Sequence, residues 1–148
     1  MHLVLTVRDL ARQIPAEWQE TVKHYNKETY AEFLQIIMSR EGRSADLFWR
    51  VQDVPDILDR WVGDLPPQHV HLVTVPLSGA PHDVLLSRLL DVFGLGEVPL
   101  AYESDRTNAS LGVPETAMIR LVNERVVRGP DIEYAHFIRE MLAHRQLA

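Results

Sequence analysis

An α/β fold with a small parallel sheet is what this sequence predicts, and three observations carry that expectation. Two segments, HLVLTV (2–7) and HVHLVTV (69–75), are nearly unbroken runs of leucine and β-branched residues. Such runs are apolar on both faces, the pattern of strands covered on both sides. The sequence between them is helical in period, as a connection between parallel strands requires. The chain has 148 residues, 46% hydrophobic and 24% charged, which suits a single globular domain over residues 1–148.

After the first strand, residues 8–25 have a helical pattern interrupted by Pro15, which has no N–H to donate and disfavours a helical residue before it. The expectation is a tight turn at 9–13 and a main helix from Pro15. Thr29-Tyr30-Ala31-Glu32 reads as a capping box, with Tyr30, Phe33, Leu34, Ile37 and Met38 on the i, i+3, i+4, i+7, i+8 stripe of a core-facing helix. Asp53 is placed to cap a further helix bearing Val54, Ile57, Leu58, Trp61 and Val62 on one face, stopped by Gly63. Pro66-Pro67 then leads into the second strand. Pro81 opens a helix carrying Leu85, Leu86, Leu89, Leu90 and Phe93 up to Gly94, and Pro114 and Pro130 open two more. Together these make about six helices around the sheet. Residues 94–113 are the longest loop candidate.

Composition excludes several classes. Fifteen Lys and Arg against 21 Asp and Glu give a net charge of −6, which argues against a broad nucleic-acid footprint but leaves room for a local cationic pocket. No cysteine is present, so there is no disulfide or thiolate chemistry. The amino-terminal residues are too charged for a signal peptide, and no apolar run approaches the roughly 20 residues of a membrane span. The expectation is a cytoplasmic protein without nucleic-acid or membrane partners.

A two-stranded parallel sheet is a poor core by itself, because each strand leaves a ladder edge open. Completion is expected from a second copy of the chain, from another protein, or from a further segment such as Val98–Tyr102. Ligands of open α/β sheets sit beyond the carboxyl ends of the strands, where Arg8 and Asp9 fall. Arg8 suits a phosphate through its guanidinium fork; the alternative is that a carboxylate such as Asp9 holds it. Asp9 itself reads either as a general base or as a helix cap. Arg106, Asn108 and Ser110 form a polar cluster, read either as ligand contacts or as caps ahead of the Pro114 helix. His69 and His71 share a strand face, but two imidazoles are too few for a metal site and no third ligand follows from spacing, so no metal is expected. Trp18, Trp49 and Trp61 fall on helical faces and are expected in the core.

The segments LVLTVRDLARQIPAEWQE, HVHLVTVPLSGAPHDVLLSRLLDVFGL and NASLG resemble the middle of bacterial sulfotransferase-like proteins, relatives of the enzymes that use 3′-phosphoadenosine 5′-phosphosulfate (PAPS). The resemblance spans roughly residues 2–125. It implies a partial P-loop-like architecture in which a strand ending in arginine leads to the helix holding the cofactor's 3′-phosphate. Arg8 matches that arginine, whereas the family's serine eight residues later is Ala16. Asn108 and Ser110 are the further positions assigned to PAPS or its product, adenosine 3′,5′-bisphosphate (PAP). The family's phosphosulfate-binding loop would precede residue 1, and no Gly-Lys-Ser/Thr loop occurs within the chain. Arg128-Gly129-Pro130-Asp131 does not reproduce the family's Arg-x-Gly-x-x-Gly element.

Three functions follow as expectations. The first in order is a truncated or degenerate sulfotransferase-like binding and assembly module, oligomeric and not an active sulfotransferase alone. The second is a PAPS- or PAP-binding transferase acting on a small-molecule acceptor. The third is a biosynthetic enzyme redirected to another reaction through Asp9, His71 or His82. No catalytic residue is assigned.

Overall fold

The computed structural model describes residues 1–81, 83–98, 111–125, 134 and 138. Along the chain the elements are β1 (Leu3–Val7), α1 (Leu10–Lys23), α2 (Tyr30–Ser39), α3 (Gly42–Gln52), α4 (Val54–Trp61), a 3-10 turn (Pro67–His69), β2 (Val70–Thr74), α5 (Val84–Val92) and α6 (Val113–Arg125). The fold is α/β, with a two-stranded parallel sheet and six α-helices among the described residues. No described helix is long and apolar enough to cross a membrane. The chain divides into two compact units, one of Met1–Leu10 with Asp46–Glu103 and the other of Ala11–Ala45 with Ser104–Ala148.

The first unit holds the sheet. β1 and β2 pair in parallel with Leu3 opposite Val70, Val4 opposite His71, Leu5 opposite Leu72, Thr6 opposite Val73 and Val7 opposite Thr74. Because partners in register share a face, Leu3, Leu5, Val7, Val70, Leu72 and Thr74 form one side, and Val4, Thr6, His71 and Val73 the other. The two sides are unequal: Val73 is 2% exposed, whereas Leu72 is 50% exposed. The expected cover on both faces is therefore incomplete. α5 packs on β2, where the Arg88 guanidinium donates to the Thr74 carbonyl and to its hydroxyl, the latter at 2.9 Å. Asp53 caps α4 as expected, accepting from the Asp56 amide. Arg60 joins the end of α3 to α4 by donating to the Arg50 carbonyl, with an ion pair to Asp56 at 3.1 Å.

The second unit holds most of the buried core. Trp18 and Val22 of α1, Phe33 and Ile37 of α2, Ala45, Leu111, Ile119 of α6 and Ile138 are all buried. Thr29 and Glu32 form the expected capping box at the start of α2. α1 ends with Tyr25 in the left-handed region (φ 77°), with the Tyr25 amide on the Val22 carbonyl and the Asn26 amide on the Thr21 carbonyl, the two bonds of a Schellman cap. The buried Asn123 side chain uses both its N–H groups on this cap, reaching the Val22 carbonyl at 2.8 Å and the Asn26 carbonyl at 2.7 Å. Its oxygen accepts from the Tyr134 hydroxyl.

Several expectations need correction. α1 runs unbroken from Leu10 through Pro15. Pro15 lies near the amino end, where few carbonyls precede it, so it deletes one backbone bond and the turns that bury Trp18 and Val22 continue past it. Trp49 lies on a helix as expected, but the expectation set no bounds for α3 around it, although Ala45, Phe48 and Trp49 have i, i+3, i+4 spacing. α5 begins at Val84 because Pro81 sits in a preceding turn, its carbonyl accepting from the Val84 amide. Met38 and Trp61, placed by spacing on core stripes, are 71% and 64% exposed; Trp49 is half-buried, leaving Trp18 as the fully buried tryptophan of the three. The helix expected at Pro130 and the strand proposed at Val98–Tyr102 lie, Val98, Tyr134 and Ile138 apart, outside the described residues.

Candidate functional site

Parallel pairing brings both strand exits to one end of the sheet. Beyond Thr74 the pairing continues through the Val75 amide on the Val7 carbonyl at 2.7 Å, so Arg8 leaves the sheet at the end that Arg88 reaches through Thr74. Arg8 is exposed and has no hydrogen bond or ion pair to a described residue. Asp9 is exposed and engaged in an interaction of its own. An exposed guanidinium at this end can grip an oxyanion through two parallel N–H donors. Ala16 lies half-buried within α1 and brings no hydroxyl. Arg106, Asn108, Ser110 and His82 are outside the described residues.

At the amino end of the same sheet, three histidines gather. His2 Nδ1 lies 2.9 Å from His71 Nε2, with ring centroids 5.2 Å apart and planes 13° apart. The His69 ring lies 4.4 Å from that of His2. Local desolvation beside the neighbouring rings, then the charges of His69, His71 and the Met1 ammonium, lower the pKa of the exposed His2 from the ordinary histidine value. Sequence reasoning paired His69 with His71 and missed His2. The signal was present in the register: once Leu3 lies opposite Val70, His2 falls beside His69. Among the described residues, no group of three or more His, Cys, Asp or Glu is arranged to hold an ion.

In the second unit the polar node at Asn123 was also missed, because nothing in the spacing of α6 marks one asparagine as buried. Tyr25 meets Tyr134 edge-on at 5.5 Å, and Lys27 Nζ lies 4.7 Å from the Tyr25 ring centroid. Burial, followed by the influence of Tyr25, pushes the Tyr134 hydroxyl above its ordinary pKa, which keeps it a donor to Asn123. This node closes the carboxyl end of α1.

No family model, curated protein or solved structure matches the chain.

Proposed function

We propose that this chain is a sulfotransferase-like binding and assembly module of the cytoplasm whose sheet is completed by a second copy of itself. The observation behind it is the imbalance between the two units. Among the described residues, the sheet unit buries only Phe48 and Val73 as hydrophobic core, while Leu47, Val51, Trp61, Leu72, Leu77 and Phe93 stay largely exposed. A parallel pair with so little cover and, among the described residues, two unpaired edges is marginal alone, and strand addition at an edge would supply both hydrogen bonds and apolar contact. The test is the solution mass of the chain at micromolar concentration by light scattering coupled to gel filtration. Twice the 17.0 kDa chain mass, reverting to 17.0 kDa in a folded Leu72→Lys variant, supports the reading. A stable monomer overturns it.

A second reading is favoured by Arg8, exposed and without a described partner at the carboxyl end of the sheet. In it, Arg8 holds one phosphate of adenosine 3′,5′-bisphosphate. The donor set fits one phosphate and no more: the serine expected beside it is Ala16, and the chain contains no Gly-Lys-Ser/Thr loop to cradle a phosphosulfate. Catalysis of sulfuryl transfer needs donors on the transferring group, so no transfer step is assigned. Calorimetric titration with adenosine 3′,5′-bisphosphate should give binding that disappears in Arg8→Ala. Absence of binding, or equal binding by the variant, removes this reading.

A further inference from the structure

The histidine cluster has a charge arrangement that sets it apart from an ordinary surface trio. His2 precedes β1, His69 closes the 3-10 turn and His71 is the second residue of β2. All three fall on one face, because register places His2 beside His69 and Val4 beside His71. The hydrogen bond between His2 and His71 requires one N–H and one lone pair, so at least one of these two rings is neutral while it lasts. The charged groups acting on His2 are His69 from the turn, His71 from β2 and the Met1 ammonium from its own segment. Each is a cation when protonated, and among the described residues no carboxylate acts on His2. α5, the helix packed on β2, contributes Arg88, which is bonded to Thr74 at the opposite end of the strand.

We infer that His2, His69 and His71 form an acid-released latch on the first rung of the β1–β2 pair. Near neutral pH the rings stack and share a hydrogen bond, holding Leu3 against Val70. As a second imidazole takes up a proton, the shared bond is lost and adjacent cations repel, so His2 swings into water and the start of β1 frays. The sign follows from the environment: His2 binds a proton less readily in the folded chain than in an unfolded one. Its contribution is therefore complete above the ordinary histidine pKa and is lost as pH falls through the lowered value. The exposed location suits a local opening, since the rest of the ladder keeps its own pairing down to Val7 and Thr74.

The test is an NMR titration of the untagged full chain from about pH 8 to about pH 5, the range in which histidine changes charge. It follows the three histidine rings and the hydrogen exchange of the Leu3, Val70 and His71 amides, corrected for the intrinsic pH dependence of exchange. The expected result is a His2 midpoint below the ordinary histidine value and a loss of amide protection at the first rung with the same midpoint, while protection at Thr6 and Val73 persists. In His71→Phe the ring stack remains but one charge and the shared bond are gone, so the His2 midpoint should rise towards the ordinary value. His2→Gln, at an exposed position that tolerates exchange, should abolish the acid-dependent loss at Leu3. Unchanged first-rung protection across the range, or an ordinary His2 midpoint in the parent chain, overturns the proposal.

Discussion

Replacing Asn123 by alanine should be among the most damaging single changes in the second unit. The side chain is fully buried and makes three hydrogen bonds: N–H donation to the Val22 and Asn26 carbonyls at 2.8 and 2.7 Å, and acceptance from the Tyr134 hydroxyl. A buried hydrogen bond contributes about 1 kcal/mol net, and a partner left unsatisfied costs about 1–3 kcal/mol. The Val22 carbonyl keeps the Tyr25 amide, so its loss lies at the low end, while the Tyr134 hydroxyl is left without its acceptor. The sum is a destabilisation of about 2–4 kcal/mol, measurable as a lowered urea midpoint with an unchanged slope. Asn123→Asp sharpens the test, because it keeps the shape but turns an acceptor towards two carbonyl oxygens. It should be worse than alanine at neutral pH. An alanine variant within about 0.5 kcal/mol of the parent, the scale of a neutral surface change, would refute the idea that this node closes the end of α1.

Thr29→Ala removes the hydroxyl that accepts from the Glu32 amide and should lower stability by about 1 kcal/mol in thermal unfolding; no change would mean that the cap is dispensable. The Thr29 backbone amide, and next its hydroxyl, hold the Glu32 carboxyl below its usual pKa. That contribution is present above the ordinary carboxylate value and fades as pH falls through the lowered one, so Glu32→Gln should flatten the acid limb of the stability profile. A limb identical to the parent's would count against it. Gly63 has φ +51° with open space around its missing Cβ, so Gly63→Ala should cost about 1 kcal/mol from backbone strain alone. A rise in melting temperature would refute that assignment.

The first-order pattern was legible because it depends on neighbours in sequence. Strand runs at 2–7 and 69–75, the Thr29–Glu32 box and the Asp53 cap need no distant partner, and each is where local chemistry places it. Pro15 misled because its cost is local, whereas the burial of Trp18 and Val22 that offsets it comes from side chains brought from elsewhere in the chain. Trp61 misled in the opposite sense: its spacing fits a buried stripe, but a short helix buries only what another element covers.

Sequence by itself determined the α/β class, the two strands and the starts of α2, α4 and α6, since hydrophobic period and capping act within a few residues. Only the tertiary structure decided the parallel register, and with it the meeting of His2 with His69 and His71 across 69 residues of chain. It alone buried Asn123 against the end of α1 and left Arg8 exposed beyond the sheet. The physical reason is common to all three: pairing, desolvation and exposure are properties of what a residue meets in space, and a linear pattern does not specify the partner.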